Sequence, residues 1–225
     1  MNPPPRASRY IDRAERLLAL LRRDFGIPRG VRTVIAVAGE SGSGKSVTAI
    51  DLALVLNQEG IPAAIIHQDD YFIRPPRTNH AFRERDIASV GPQEVQMDLI
   101  AQHVAQFRSG ADSITGPKVN YPANRFDTQV IPLSPCEVLV VEGTYVLQIA
   151  DADIRVFLEA TWEDTAAARR ARNRDIDAPF VAQVLTIEHE IIVRQRDTAD
   201  VIIDRDYQVA RRRDADVSAP PTGTT

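Results

Sequence analysis

The strongest constraint on this chain is a short strand-like run that ends in glycines. Residues 33–38 (TVIAVA) are β-branched or small, and the last five are apolar, as expected of a strand buried on both faces. The run passes directly into Gly39-Glu40-Ser41-Gly42-Ser43-Gly44-Lys45-Ser46. From Lys45 to about Glu59, Val47, Ile50, Leu54 and Val55 mark a helix, closed by Gly60 and Pro62. Residues 63–67 (AAIIH) then read as a second strand. Strand, loop, helix and strand in that order form a crossover unit of nearly obligatory right-handedness, so the two strands are expected to be parallel with the helix on one face.

The remaining chain extends the alternation. Ser8 can cap a helix carrying Ile11, Leu17, Leu18 and Leu21, stopped by Gly26-Ile27-Pro28 and packed on the main body as an accessory element. Residues 68–90, rich in Arg, Asp, Pro and Asn without periodicity, are expected to be a functional loop. A helix is expected over 92–107, an irregular segment over 110–135, strands at 138–141 and 154–158, a helix from Trp162, and a last short strand at 201–203. From Asp214 the chain loses apolar periodicity, which predicts a frayed end. The expected organisation is an N-terminal accessory helix within 1–30, one main domain over 31–213 and a flexible tail over 214–225. The class is α/β, a mostly parallel sheet covered on both faces.

Composition narrows the function. With 44% hydrophobic and 26% charged residues among 225, the body of the chain is neither disordered nor a disulfide scaffold. A formal net charge of −4 argues against a surface built to coat nucleic acid or anionic lipid. Cys136 stands alone, which excludes an intrachain disulfide and a cysteine-based zinc cage and suits a reducing compartment. No apolar run follows the proline-rich start as a signal peptide requires, and none reaches the length of a membrane span. The expectation is a soluble cytoplasmic protein with no nucleic-acid or membrane partner.

The glycine loop matches GxxxxGK[ST] in full, in the strand-to-helix context that gives the pattern meaning. Such glycines let successive amide groups turn inward onto a phosphate, and the helix adds its positive N-terminal end. Residues 39–47, Val47 included, are therefore expected to bind ATP, with Lys45 bridging the terminal phosphates and Ser46 presenting its hydroxyl to Mg²⁺. Past the second strand, Asp69 and Asp70 stand on the same rim of the sheet, where a carboxylate can accept the proton of an attacking hydroxyl. Asp69 is the favoured base; Asp70 is left to hold the loop or to serve Mg²⁺ through water. Glu142, at the end of the strand beginning at Val138, is expected beside Mg²⁺ water or a substrate hydroxyl. Arg169, Arg170, Arg172 and Arg174 form a cluster of which one or two are expected to close over the triphosphate. The four histidines show no ligand spacing.

These residues together resemble the uridine kinase and phosphoribulokinase family of P-loop kinases, from about Thr33 to Ile203. GESGSGKS resembles the family's phosphate loop, Gln68-Asp69-Asp70-Tyr71-Phe72 its Gln-Asp-Ser-Phe-Tyr segment, Val141-Glu142-Gly143 its Glu-Gly after a buried strand, and Arg174-Asp175-Ile176 the Arg-Asp that opens its lid. The resemblance implies a P-loop NTPase-type parallel sheet of about five strands with helices on both faces and a short lid. It implies Asp69 as general base, Lys45 and Ser46 as ATP and Mg²⁺ ligands, Glu142 by the metal or acceptor, Arg170 and Arg174 in the lid, and frequent homo-oligomers. Asp69, Lys45 and Arg174 would be the catalytic set, and Ser46, Asp69 and Glu142 the metal set.

The departures fall on the acceptor. Val90-Gly91-Pro92 stands where nucleoside kinases of the family carry Asp-His-Pro. Val119-Asn120-Tyr121 and Asn124-Arg125 replace its Tyr-Asp-Phe and His-x-Arg, and Asp177-Ala178-Pro179-Phe180 shortens the lid. Losing hydrogen bonds a buried nucleoside site relies on costs orders of magnitude in discrimination. Tyr71, Tyr121, Arg125 and Glu142, with Arg74 and Arg77, are expected to line the acceptor region, whose arginines suit a phosphorylated or carboxylated small molecule. The resulting expectation is an ATP-dependent kinase for a small-molecule hydroxyl. The alternative is a nucleotide-dependent switch in which binding orders residues 68–90 and no acceptor is phosphorylated.

Overall fold

The computed structural model describes residues 8–27, 30–167 and 178–218. Its centre is a six-stranded sheet in the order β2-β5-β1-β6-β7-β8, where β1 is Thr33–Gly39, β2 Ala63–His67, β5 Val138–Gly143, β6 Ile154–Leu158, β7 Val201–Ile203 and β8 Val209–Arg211. The first five in that order run parallel, and β8 closes the edge antiparallel to β7. Every residue of β1 and β5 is buried, which explains why their sequences do not alternate with polar residues.

Period-two geometry divides these strands between two cores. Val34, Ala36 and Ala38 of β1 face Leu139, Val141 and Ile66, and are covered by Ile100, Val104 and Phe107 of the helix Met97–Arg108 (α4). Ile35 and Val37 face the other way with Val138, Val140 and Val156. There they meet Leu52 and Leu56 of Lys45–Gln58 (α2) and Leu17 and Leu21 of Ser8–Phe25 (α1). The N-terminal helix thus completes one of the two cores. Among the described residues no helix is long and apolar enough to cross a membrane.

The structure departs from the sequence-based reading in five places. Residues 68–90 are largely ordered into a 3-10 turn Gln68–Tyr71, a helix Pro76–Arg85 (α3) and a second turn Ile87–Ser89. The helix is hidden in the sequence because PRTNHAFRER has no apolar stripe. It starts with proline at a tolerated first-turn position and is held by polar bonds from Asn79 and Arg83 to Glu94. The helix expected over 92–107 is split, because Glu94 folds back on the Gly91 amide at 3.2 Å and Val95 is extended, bridged to Phe72, before α4 begins.

Residues 110–135 form a hairpin, Ser113–Asn120 (β3) paired antiparallel with Arg125–Pro132 (β4); Gly116 and Pro117 break the alternation that would have revealed it. At the C-terminal end, β8 and the helix Arg212–Ser218 (α6) follow β7. Asp216 of α6 pairs with Arg196 at 2.7 Å, so residues 214–218 are helical rather than frayed. The helix expected at Trp162 begins as a turn, becoming helical at Ala166 and Ala167, and the next described element is the helix Ala178–Ile192 (α5). Arg169, Arg170, Arg172 and Arg174 lie outside the described residues.

Leu17 is fully buried at the contact of α1 with the sheet core. Leu17→Ala is expected to lower unfolding stability by about 2–5 kcal/mol, the usual cost of a buried leucine cavity, read as a shift of the urea midpoint at unchanged slope. A midpoint equal to that of the parent chain would contradict α1 as part of the core.

Candidate active site

Three parallel strands bring the site together. The register pairs Val37 with Glu142, Ala38 with Gly143 and His67 with Glu142, so β1, β5 and β2 end on one rim. The glycine loop, Glu142 and the Gln68–Tyr71 turn therefore emerge side by side at the carboxyl edge of the sheet. The loop and the turn border a cleft of about 520 Å³ whose walls include Asp69, α3 and α5.

The loop is shaped by its glycines. A Cβ on Gly39 would lie 2.6 Å from Ser43 Oγ and 3.0 Å from Leu158, so no larger residue fits. Gly42 and Gly44 have φ of 86° and 97°, the left-handed region that glycine enters without strain. Gly44 is the N-cap of α2, with no side-chain cap and no acidic residue in the first turn. The helix therefore begins with amide groups that no side chain of its own satisfies, beside the buried Ser43 hydroxyl, which has no partner. Such a terminus is built for an anion, and the residues fit a nucleotide triphosphate. Ser41, Gly42, Gly44, Lys45, Ser46 and Val47 face the cleft.

Glu40 does not face it: its buried carboxylate lies 2.6 Å from His189 Nδ1 on α5 and accepts from the Trp162 amide at 2.7 Å. It fastens the loop to α5, and only its backbone belongs to the phosphate cradle.

The paired aspartates are separated by the 3-10 turn, which rotates successive side chains about 120° apart. Asp69 is exposed and faces the cleft. Asp70 is buried and accepts from Lys118 Nζ at 3.0 Å, the Val119 amide at 3.0 Å and Gln129 Nε2 at 3.2 Å, which ties the hairpin to the rim. Beneath them Gln68 accepts from the Tyr145 amide at 2.8 Å and donates to Thr144 Oγ1 at 2.9 Å. Gly143 is required there, since its Cβ would fall 2.3 Å from that of Gln68.

Glu142 is 3% exposed, accepts from Ser46 Oγ at 3.1 Å and sits 2.8 Å from His67 Nδ1. Burial alone would raise its pKa, but the His67 bond, the Lys45 charge and the Ser46 bond outweigh it and hold the carboxyl below its ordinary value. The same bond to Glu142 raises the pKa of His67. Ser46 and Glu142, with Asp69 across the cleft, offer hard oxygen donors suited to Mg²⁺, which is usually held by one or two carboxylates together with phosphate oxygens. Among the described residues no cluster of three or more His, Cys, Asp or Glu forms a self-sufficient metal cage.

The expected acceptor residues are divided. Tyr121 lines the cleft, and so does Arg74, whose guanidinium lies 3.6 Å over the Phe82 ring. Tyr71 does not: it is fully buried in the core with its hydroxyl 2.8 Å from His103 Nδ1, because the turn points it toward α4. Arg125 is drawn to Asp127 at 2.7 Å and is not part of the lining. Arg77 donates to the Pro122 carbonyl and lies in a separate concavity behind α3. Glu142 is occupied with Ser46 and His67 and is not part of the cleft lining.

Asn79, Arg83 and Glu188 line the cleft without having been singled out in the sequence. Asn79 and Arg83 share a helix face at i,i+4 spacing, a signal that required knowing α3 was a helix; Glu188 carried none.

A model described as the phosphoribulokinase / uridine kinase family matches residues 34–211. A bifunctional alpha-galactosidase/sucrose kinase of Mediterraneibacter gnavus is 31% identical over 79% of this chain, which spans only 20% of that longer protein. A uridine kinase of Leuconostoc citreum is 24% identical over 76% of this chain and 86% of its own. In fold, the chain is similar to the solved structure of a possible uridine kinase from Bacillus stearothermophilus, with a TM-score of 0.58 and 19% identity over 84% of this chain and 97% of that one. With the match spanning the sheet, the loop and the rim carboxylates, the chain belongs to the phosphoribulokinase / uridine kinase family.

Proposed function

We propose that this kinase transfers the γ-phosphoryl group of ATP to a hydroxyl of a small molecule, with Asp69 as general base. The observation that carries the reading is an exposed Asp69 in the same cleft as Lys45 and Ser46 of the phosphate loop, while its neighbour Asp70 is buried in structural bonds. Phosphoryl transfer needs little from the protein beyond position and charge.

Asp69 accepts the proton of the acceptor hydroxyl as its oxygen bonds to the γ-phosphorus. The bond from that phosphorus to the bridging β-γ oxygen breaks, and ADP leaves. Lys45 and the loop amides hold the phosphates against the N-terminus of α2. Ser46 and Glu142 would hold Mg²⁺, which when bound would supply positive charge against that of the phosphates. Arg170 and Arg174, assigned to a lid by the family resemblance, lie outside the described residues. Names of relatives support the chemistry, since uridine and sucrose kinases both act on hydroxyls. A cytoplasmic location follows from the need for ATP.

Asp69→Asn is expected to lower kcat by about 10²–10⁴-fold while ATP affinity stays within about twofold, measured by ADP release and nucleotide titration. Full turnover in that variant would remove Asp69 as base. Lys45→Ala is expected to weaken ATP binding or transfer, and unchanged titration and turnover would count against the loop. Gly143→Ala forces Gln68, and Asp69 with it, out of position, so it is expected to reduce kcat by at least about tenfold. Tight ATP binding without turnover on any acceptor would instead favour a regulatory protein.

A further inference from the structure

The wall of the cleft built by α3 and α5 carries a polar network that the transfer reaction does not use. At its centre Arg83 donates from Nε to both oxygens of Glu94, at 2.8 and 3.0 Å, and from Nη2 to Glu94 Oε2 at 2.6 Å and Glu188 Oε1 at 3.0 Å. One guanidinium thus serves two carboxylates. Glu94 is 1% exposed and takes a further bond from Asn79 Nδ2 at 2.9 Å. Two acceptors at this wall stay unmatched: Glu188 engages only through Oε1, and Asn79 Oδ1, on a side chain 6% exposed, has no partner.

The balance of charge here differs from that expected of an anion site. Among the described residues the arginines and lysines lining the cleft are Lys45, Arg74 and Arg83. Lys45 belongs to the phosphate loop and Arg83 is committed to Glu94 and Glu188, while Arg74 lies over the Phe82 ring and is paired with no carboxylate among the described residues. His80 turns to Glu84 and to the edge of Phe180. At the wall of α3 and α5 a phosphate or carboxylate would meet the Glu188 carboxylate, whereas Glu188 Oε2 and Asn79 Oδ1 are left for hydrogen-bond donors. Phe72, Tyr121 and Phe126 add flat apolar faces to the same cleft.

We propose that the acceptor is an uncharged polyhydroxylated molecule, a sugar or sugar alcohol, whose hydroxyls pair with Glu188 Oε2 and the Asn79 carboxamide while its carbon skeleton lies on the aromatic faces. A hydroxyl both donates and accepts, so it satisfies Glu188 whether that carboxyl is ionised or protonated. Arg83 acts as a positioning residue that keeps Glu188 and Glu94 in place. The proposal rests on the kinase reading and specifies the substrate class of the same site. It replaces the phosphorylated or carboxylated acceptor that the arginines had indicated in the sequence, because two of those three, Arg77 and Arg125, are engaged away from the cleft and Arg74 alone lines it.

The test is transfer from Mg-ATP by the full chain to sucrose, fructose and sorbitol, against fructose 6-phosphate, glycerate and uridine, with phosphorylated products identified by mass. At least one neutral sugar or polyol is expected to exceed the anionic acceptors and uridine by about 100-fold in kcat/KM. Glu188→Gln is expected to raise KM for that acceptor by about tenfold with kcat within about threefold and KM for ATP unchanged, as loss of a carboxyl hydrogen-bond partner implies. Asn79→Ala reads the same wall independently, with the same split expected, should the Glu188 variant fail to fold.

Transfer to fructose 6-phosphate, glycerate or uridine with the neutral compounds idle would overturn the acceptor class and leave the kinase reading intact. A neutral acceptor whose KM is indifferent to both variants would overturn the assignment of the wall. ATP binding with no transfer to any of these acceptors would overturn both readings.

Discussion

Everything at the rim depends on the in-register parallel pairing of β1 with β5 and β5 with β2. Because Val37, Glu142 and His67 stand abreast, the phosphate loop, the Glu142 carboxylate and the turn bearing Asp69 leave the sheet at one level. A two-residue slip would keep the same faces in the core and cost little in hydrophobic patterning, yet it would carry Glu142 roughly 6.6 Å along the strand, away from Ser46. Gly143 resists such a slip, since only glycine there accepts the close packing of Gln68, whose side chain is bonded to both residues that follow Gly143. The structural lock and the catalytic geometry are the same contact.

Charge is distributed around that lock with a division of labour. Glu142 is held below the ordinary carboxylate pKa in a buried place because His67, Lys45 and Ser46 surround it. Asp70 and Glu94 are spent on structure, one fastening the hairpin and the other organising α3. Asp69 is left to face the cleft. Glu40 extends the logic beyond the sheet, tying the glycine loop to α5 through His189.

Much of this was legible in the residues, and the boundary is physical. β1, α2 and β2 announced themselves because burial on both faces and helical apolar spacing are sequence properties. The glycine loop, Asp69 and Glu142 followed from their positions at strand ends. The elements that stayed hidden, α3 and the β3–β4 hairpin, are held mainly by polar or edge interactions and carry no strong period. Tyr71 was misplaced because the 3-10 turn sends successive side chains about 120° apart, so Tyr71 points into the core while Asp69 faces the cleft, which residue identity does not encode. Arg83 and Glu188 meet across 105 positions of chain, so no local pattern revealed their pairing.

The central claim is that the rim moves phosphorus from ATP to an organic hydroxyl. The most direct measurement follows the γ-phosphorus of Mg-ATP by phosphorus NMR while the full chain turns over with a neutral sugar. Growth of a phosphate-ester resonance in step with ADP, with no accumulation of inorganic phosphate, is the expected result. Inorganic phosphate as the sole product, or an unchanged ATP spectrum with nucleotide bound, would contradict it.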